Sequence, residues 1–227
     1  MAREKGLTSA VEDYLKTIYK LTNDKDTTST SEIAEKLTIS PASVTNMLQK
    51  LAIYDPPLVY YQKSRGVSLT QEGKQSALRK IRQHRLVELF LVEILGYSWD
   101  EIHEEAEILE HVISPKLEER ISKILGDPKF DPHGDPIPDQ SLMIHKSNAI
   151  PLAQLKTGQN AKVSQVKSND AGLLRYLGEM GVMPGTMVSL TSVIPYDRTL
   201  HILIDDKVER VFGEELGQII MVEVAGQ

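Results

Sequence analysis

Residues 31–51 read SEIAEKLTISPASVTNMLQKL and contain the pattern from which the N-terminal fold is predicted. A short helix is expected to begin at Ser29, because Ser29 and Glu32 have the spacing of a capping box. After a tight break, Ser40 can cap a second helix with Pro41 at its first position, where a missing N–H is harmless. Two short helices joined by such a turn are typical of a helix-turn-helix. Helical hairpins without a DNA function share this pattern, so that alternative stays open here.

The segment that follows favours the DNA-binding interpretation. Residues 58–61 and 66–69 predict two short strands around a turn that contains Lys63 and Arg65. A two-stranded hairpin directly after a helix-turn-helix makes a winged helix, and its basic tip would meet phosphate or the minor groove. The alternative, a solvated basic turn, is weaker in this context.

The exposed side of the second helix is expected to face DNA. With the hairpin tip, the candidate DNA contacts are Ser40, Pro41, Ala42, Ser43, Asn46, Lys50 and Arg65. No residue near the start of this helix is an arginine, the side chain that most often recognises guanine. We therefore expect modest base readout, with phosphate contacts and DNA shape supplying much of the specificity.

Composition narrows the class of protein. The 227 residues include no cysteine, which excludes disulfides, thiolate metal sites and cysteine nucleophiles. The net charge is −6, and residues 98–139 hold 4 basic and 12 acidic side chains, a local net charge of −8. No apolar run is long enough to cross a membrane and no apolar signal core begins the sequence, so we expect a cytoplasmic protein.

Two further helices are predicted on either side of the DNA-binding pattern. Ser9 and Glu12 have the spacing of a capping box that opens a helix through about Leu21, with Asp13 and Lys16 off its apolar side. A long helix is expected from Thr70 to about Leu95, before Gly96. Its apolar surface is broad enough to suggest a subunit interface.

Residues 99–114, WDEIHEEAEILEHVIS, carry the donors from which a metal site is predicted. On one helix His103, Glu107, Glu110 and His111 would fall within an arc of about 100°, beside an apolar stripe. In the preceding helix, His84 and Glu88 are spaced i, i+4 and would share a face. Imidazoles and carboxylates suit a first-row divalent metal. The alternative interpretation is an acidic helix that faces solvent and binds no metal.

The amino-acid composition changes after this helix. Residues 127–140, DPKFDPHGDPIPDQ, predict a turn-rich boundary or linker in which His133 is a surface residue. From about residue 150, short alternating segments separated by Gly, Asn, Asp and Pro predict a small barrel of SH3 type with about five strands. A short helix and tight turn are expected within LLRYLGEMGVMPGT.

Along its whole length the chain resembles the diphtheria-toxin-repressor family of metal-dependent transcription regulators. The resemblance is carried by EDYLKTIYKL, SEIAEKLTISPASVTNMLQKL, QHRLVELFL, HEEAEILEHVIS, DPHGDPIP and GEMGVMPGTMV, in family order. It implies a mainly α protein with a small all-β domain: an N-terminal winged helix-turn-helix at 1–72, a helical dimerisation and metal-binding domain at 73–140, a linker at 141–149 and an SH3-like β-barrel at 150–227.

The resemblance also implies two metal sites. The primary site matches Asp13, Glu107, Glu110 and His111, and the ancillary site matches His84, Glu88 and His103. The iron-responsive branch places Met and Cys where this chain has Asp13 and Glu107. The manganese-responsive branch is similar at both positions, and ligands without sulfur favour Mn²⁺ over Fe²⁺.

The chain departs from both branches at some positions. Manganese regulators with a paired-metal site have Glu at the position of Lys16, and His103 is retained here as in the iron branch, so we expect two separate sites. In some relatives an acidic residue and a Gln of the SH3-like domain reach the ancillary metal. Their counterparts here are Gln165 and Ser168, with Asp170 nearby.

The sequence thus favours a homodimeric, Mn²⁺-responsive regulator that binds double-stranded promoter DNA and represses metal-uptake genes, with Fe²⁺ as the alternative effector. It is not expected to be an enzyme or a membrane protein. A winged-helix regulator indifferent to metal remains a second hypothesis. A metal-dependent hydrolase would need an open coordination position and a general base, and a peptide-binding scaffold would need an aromatic-lined groove.

Overall fold

A computed structural model describes residues 7–145 and 147–225 of the chain, which divide into two compact units. The first unit extends to Gln83 and includes residues 140–142, and the second comprises His84–Asp139 and the residues from Met143 onward. In the described part of the chain, no helix is both long enough and apolar enough to span a membrane.

The first unit contains three short helices and a two-stranded hairpin. Its elements are α1 (Ser9–Leu21), α2 (Thr30–Leu37), α3 (Pro41–Ala52), β1 (Val59–Gln62) and β2 (Gly66–Leu69). The core residues with no exposed surface include Leu15, Ile18, Ile33, Val44, Leu48 and Leu51. The predicted helix-turn-helix followed by a wing is therefore confirmed.

The ends of these helices follow the sequence signals in two of three cases. The Ser29 hydroxyl accepts from the backbone N–H of Glu32, whose carboxylate accepts from the N–H of Ser29. The Ser40 hydroxyl likewise accepts from the N–H of Ser43 and caps α3. For α1 the prediction was wrong, because Thr8 is the extended cap residue and Ser9 already lies in the helix.

The wing is held to the helical part by backbone contacts. β1 and β2 pair antiparallel, from Val59 opposite Leu69 to Gln62 opposite Gly66. Thr28 and Val67 exchange two backbone hydrogen bonds, of 3.0 and 2.9 Å. The hairpin therefore projects its tip, residues 63–65, beside the turn that precedes α2.

Three helices precede the β-rich part of the chain. They are α4 (Gln71–Glu93), which begins in the first unit and continues into the second, α5 (Ile102–Leu109) and α6 (Pro115–Ile124). Within the second unit α4 packs on both sides: Val87 and Leu91 contact α5, whereas Leu86 packs with Ile121 of α6 and with Ile137. Much of the broad apolar surface of α4 is thus covered within the chain.

The helix predicted over residues 99–114 is shorter than expected. It begins at Ile102 because Trp99 is buried in the core of the β-rich part, and Ser98 donates to the Glu101 carboxylate instead of capping a helix. It ends at Leu109. Ser114 is extended and caps α6, as expected for a residue before proline.

The C-terminal part is an antiparallel sheet with two short helices. Its elements are β3 (Ile150–Pro151), β4 (Asn160–Val166), α7 (Ala171–Glu179), β5 (Met187–Val193), β6 (Leu200–Ile204), β7 (Val208–Phe212), α8 (Glu214–Ile219) and β8 (Ile220–Val224). The strand order is β3-β8-β4-β5-β6-β7, six strands where about five were expected. The SH3-like interpretation and the helix within 171–179 are confirmed.

The turn-rich segment 127–140 is not a solvated linker, and the surface role expected for His133 was wrong. Asp131 and His133 are 6% and 3% exposed. The Asp131 carboxylate accepts from the backbone N–H groups of His133 and Asp135, while the His133 ring stacks on Trp99 with ring centroids 5.6 Å apart. The segment can fold inward because the backbone N–H groups of its turns form hydrogen bonds with the buried Asp131 carboxylate. Hydrophobic periodicity does not predict this burial.

Candidate metal centre and DNA-binding surface

The candidate metal centre of the second unit is assembled by α4 and α5. His84 and Glu88 lie one turn apart on α4, and Nε2 of His84 is 2.9 Å from Oε1 of Glu88. His103, in the first turn of α5, places its Nδ1 3.2 Å from Nε2 of His84 and 3.1 Å from Oε1 of Glu88. Two imidazoles and one carboxylate thus converge on one point between the two helices.

The other side of the His84 ring faces two carboxylates from the end of α5. Nδ1 of His84 lies 2.5 Å from Oε2 of Glu110 and 4.0 Å from Oε1 of Glu107. Glu110 has no exposed surface, and its backbone N–H still bonds to the carbonyl oxygen of Ala106, so it occupies the turn that ends the helix. One buried imidazole therefore lies between two groups of acids.

The electrostatics of this cluster follow from burial and pairing. Burial disfavours the charged form of His84, but hydrogen bonds to Glu110 and Glu88 outweigh it and raise the pKa of His84 to about 9. Burial likewise disfavours ionised Glu88, yet hydrogen bonds from His103 and His84 hold the pKa of Glu88 well below its ordinary value. The buried carboxylates are compensated by imidazole in this structure.

The donor atoms fit a divalent metal ion. One donor atom from each of His84, Glu88 and His103 lies within 4.8 Å of the others, and the same holds for His84, Glu107 and Glu110. Imidazole nitrogen together with carboxylate oxygen is a donor set that first-row divalent ions accept. These residues could hold such an ion once the His84 and His103 nitrogens present lone pairs to it.

The remaining predicted ligands have separate locations. His111 lies in the turn after α5, with Nε2 3.7 Å from Oε1 of Glu110. Asp13 is a half-buried residue of α1 in the first unit. Lys16, one turn further along α1, was expected to face away from the core but is 6% exposed.

The residues of the SH3-like domain expected near the cluster are engaged elsewhere. The Gln165 amide donates to Asp135, 2.7 Å away. The Asp170 carboxylate caps α7 by accepting from the N–H of Leu173, and the Ser168 hydroxyl accepts from the N–H of Asp170. Sequence reasoning missed Asn169, whose Nδ2 lies 3.2 Å from Nε2 of His103. No sequence signal distinguishes it from its polar neighbours.

The candidate DNA-binding residues are all exposed on the first unit. They are Ser40, Pro41, Ala42, Ser43, Asn46, Lys50 and Arg65. Gln49 is exposed as well, so two amide side chains project from α3. Lys63 and Arg65 of the wing tip border a concave region of about 350 Å³ whose opposite rim is formed by residues 27–30. The hydroxyls and the two cations around this concavity suit a phosphate backbone, whereas the Glu32 carboxylate, which also lines it, does not.

Comparison with known proteins agrees with this architecture. The family model for the N-terminal DNA-binding domain of iron-dependent repressors matches residues 6–67. The model for their metal-binding and dimerisation domain matches residues 70–139, and the FeoA domain model matches residues 150–224. The three matches follow one another along the chain in the order of the elements described above.

Individual relatives are similar over most of the chain. A diphtheria toxin repressor of Corynebacterium glutamicum is 31% identical over 231 residues, which cover 92% of this chain and 100% of the relative. The iron-dependent repressor IdeR of Mycobacterium tuberculosis is 31% identical over 196 residues, covering 81% of this chain and 84% of the relative. A solved structure of a manganese-dependent transcriptional repressor in complex with manganese is 34% identical, with a TM-score of 0.84, and covers 94% of this chain and 99% of its own.

The chain belongs to the diphtheria-toxin-repressor family of metal-dependent, DNA-binding transcription repressors. The resemblance inferred from the motifs is thereby confirmed, as are the expected fold class and the general function. Relatives named for iron and for manganese both occur, so the family alone leaves the metal undecided.

Proposed function

We propose that the chain is a Mn²⁺-responsive repressor of metal-uptake genes that acts as a homodimer on promoter DNA in the cytoplasm. The observation that carries this proposal is the cluster of the buried His84, Glu88 and Glu110 with the half-buried His103. Buried imidazole and carboxylate groups at the junction of two helices need a cation or a proton between them. The proposed division of labour is DNA binding by 1–72, metal binding and dimerisation by 73–140, a linker at 141–149 and an SH3-like domain at 150–227.

Two ligand sets are proposed. The ancillary set is His84, Glu88 and His103, and the primary set is Asp13, Glu107, Glu110 and His111. The primary set contains three carboxylates and no sulfur, since the chain has no cysteine and Asp13 replaces a methionine ligand of the iron-responsive branch. Oxygen-rich sets favour Mn²⁺ relative to softer ions, whereas Fe²⁺ remains the second candidate because iron-dependent repressors are also close relatives.

The proposed response to metal follows from where the residues of the primary set lie in the chain. Asp13 belongs to the helix that opens the DNA-binding unit, whereas Glu107, Glu110 and His111 belong to the second unit. A bound divalent cation supplies the positive charge that makes the approach of several carboxylates favourable. If the DNA-competent arrangement of the dimer presents this set better than other arrangements, metal and DNA must raise each other's affinity by linkage.

Dimerisation is supported by apolar surface on the helices of the second unit. Its large exposed apolar side chains include Ile94, Leu95, Ile108, Val112, Leu117 and Ile124. Ile108 and Val112 are 65% and 73% exposed, and they lie on or directly after α5. A second copy would bury this surface and place two recognition helices on half-sites about 34–36 Å apart.

DNA recognition is proposed to combine backbone and base contacts. Lys50 and Arg65 would contact phosphates, whereas Asn46 presents an amide that can pair bidentately with adenine. Ser40 is engaged as the cap of α3, which leaves its hydroxyl oriented by Ser43 at the start of the helix.

An enzymatic role is the less favoured alternative. A metal-dependent hydrolase needs a coordination position open to substrate. Two of the three ancillary donors are buried, with Glu88 3% and His84 6% exposed, and the third, His103, is half-buried. The family relatives are repressors, which also speaks against catalysis.

The test begins with selection of bound duplexes from a random-sequence library in the presence of Mn²⁺. Fluorescence anisotropy on a selected duplex then compares chelator-treated protein with protein in Mn²⁺, Fe²⁺ or Zn²⁺. We expect tight binding only with metal, and loss of that response in Glu107→Ala. The matched control is Glu104→Ala, which removes an exposed carboxylate from the same helix. Equal affinity for DNA with and without metal would contradict the proposal.

A further inference from the structure

Asn169 is the residue of the SH3-like domain that reaches the ancillary cluster in the described part of the chain. It lies in the loop between β4 and α7, and its Nδ2 atom is 3.2 Å from Nε2 of His103. The next polar atom recorded near that nitrogen, Oε1 of Glu107, is 3.7 Å away. Asn169 is therefore the hydrogen-bond partner of the outer nitrogen of the His103 ring.

The loop that carries Asn169 is fixed against the helical part of the same unit. Gly134 approaches the carbonyl oxygen of Ser164 so closely that a Cβ atom on it would lie 1.9 Å away. The Gln165 amide donates to Asp135 on the segment that contains Gly134. The end of β4, three to five residues before Asn169, is thus anchored by backbone packing and by a side-chain hydrogen bond.

The inner nitrogen of the His103 ring faces the other donors of the cluster. Nδ1 lies 3.2 Å from Nε2 of His84 and 3.1 Å from Oε1 of Glu88. A neutral imidazole carries one hydrogen, so Nδ1 can offer a lone pair only when the hydrogen is on Nε2. The partner of Nε2 therefore decides how readily Nδ1 becomes a ligand.

We infer that Asn169 is a positioning residue that adapts His103 to both states of the cluster without itself touching a metal. This inference rests on the proposed ancillary set. In the arrangement recorded here, the Asn169 amino group can donate to Nε2 while Nδ1–H donates to Glu88. Rotation of the amide by about 180° presents its oxygen to Nε2–H instead and frees Nδ1 for coordination. An amide serves both ring tautomers, whereas a carboxylate serves only the second and an aliphatic side chain neither.

The SH3-like domain would then act on the metal site through an outer contact. Gln165, Ser168 and Asp170, the positions expected to contribute from the resemblance, are held by Asp135 and by the cap of α7. The specific consequence is an order of Mn²⁺ affinity at the ancillary cluster: Asn169→Asp above wild type, and Asn169→Leu below it by about tenfold, on the scale that outer partners of ligating histidines show.

The experiment uses the full chain carrying His111→Ala, which removes a ligand of the primary set and leaves the ancillary one intact. Chelator-treated protein is titrated with Mn²⁺ by calorimetry for Asn169, Asn169→Leu and Asn169→Asp. Ser168→Asp is the charge control, because it adds a carboxylate one residue away from the contact. Long-range ¹H–¹⁵N spectra of the Zn²⁺-loaded protein, assigned with His103→Ala, locate the ring hydrogen of His103.

The expected result is the affinity order stated above, a smaller effect of Ser168→Asp than of Asn169→Asp, and a hydrogen on Nε2 of His103 in the loaded protein. The inference is overturned if Asn169→Leu binds Mn²⁺ like wild type, or if Ser168→Asp raises affinity as much as Asn169→Asp. If the His111→Ala protein takes up no Mn²⁺ at all, both this inference and the proposed ancillary site fail. Metal-dependent DNA binding through the primary set is judged by the separate Glu107→Ala experiment.

Discussion

His84 joins two acidic groups through a single buried ring: Nδ1 lies 2.5 Å from Oε2 of Glu110, and Nε2 lies 2.9 Å from Oε1 of Glu88. Both carboxylates are almost fully buried, at 0% and 3% exposure. When no metal is bound, this imidazole is the partner that the two carboxylates share, beside His103 at Glu88 and His111 at Glu110. His84 therefore has a structural role in addition to its proposed role as a ligand.

We expect His84→Ala to destabilise the metal-free protein by about 3–5 kcal/mol, because it removes the partner that two buried carboxylates share. Urea unfolding in the presence of a chelator measures this effect. His145→Ala is the matched control, since His145 is an exposed histidine of the same unit. Identical unfolding midpoints for the two variants would show that the remaining imidazoles, His103 beside Glu88 and His111 beside Glu110, compensate these carboxylates without His84.

Gly134→Ala should destabilise the second unit more than the same substitution at a glycine with open space around it. Gly134 has φ +84°, and an added Cβ would lie 1.9 Å from the carbonyl oxygen of Ser164. Gly158 is the control, because its φ is +83° and nothing lies within 4 Å of its added Cβ. Gly158→Ala should cost about 1–2 kcal/mol for the left-handed backbone alone. Urea unfolding should give a clearly larger loss for Gly134→Ala, and equal losses would exclude the steric argument.

The capping box of α2 should make the first unit sensitive to acid. A hydrogen bond from Lys25, followed by the backbone N–H of Ser29, lowers the pKa of Glu32 to about 2 from its ordinary 4.5. Because the folded-state pKa is depressed, the stabilisation is fully present above about pH 4.5 and is lost as the pH falls toward 2. Thermal unfolding followed by circular dichroism should show a lower melting temperature for Glu32→Gln than for wild type at pH 6. This difference should shrink as the pH falls through 4.

Glu35→Gln provides the control for that experiment, because Glu35 is an exposed carboxylate on the same helix without a capping role. If the difference in melting temperature between Glu32→Gln and wild type is the same at pH 6 and at pH 3, the effect does not come from the ionised carboxylate.

Arg65→Ala should weaken DNA binding in a salt-dependent and sequence-independent way. If Arg65 contacts one phosphate, the slope of log affinity against log salt should fall by roughly one. Asn46→Ala should instead keep the slope and reduce discrimination between base pairs, by about 1–3 kcal/mol at the position that it reads. Anisotropy titrations at several salt concentrations, on a selected and a scrambled duplex, separate the two effects. An unchanged slope for Arg65→Ala would place the wing tip away from the DNA backbone.

Replacing Asp13 by Met together with Glu107 by Cys should shift the metal response toward softer ions. Thiolate and thioether ligands favour Fe²⁺ and Zn²⁺ over Mn²⁺, so the ratio of half-activating concentrations should change on the order of tenfold. DNA-binding anisotropy titrated with each ion provides the measurement. Glu104→Cys controls for an added thiol on α5 outside the proposed set. Selectivity that stays the same in the double variant would rule out ligand softness as the basis of metal choice.

Local patterns predicted much of this protein from its sequence. The capping box at Ser29, the proline after Ser40 and the alternation in the last third are short-range signals, and the helices and strands follow them. The i, i+4 spacing of His84 and Glu88 likewise predicted that they share a helix face. Each of these features depends on neighbours within a few residues, so it can be predicted from the sequence alone.

The tertiary structure decided what residues distant in sequence do together. Trp99 leaves the predicted helix because the β-rich core buries it. His133, 34 residues later in the chain, is buried because its ring bonds to the carbonyl oxygen of Trp99. Asn169 reaches His103 across 66 residues of chain. Burial of a carboxylate or imidazole requires a partner, and only the folded chain determines which residue provides it. The sequence by itself thus determined the helices, the wing and the donor types, whereas the fold determined which donors meet.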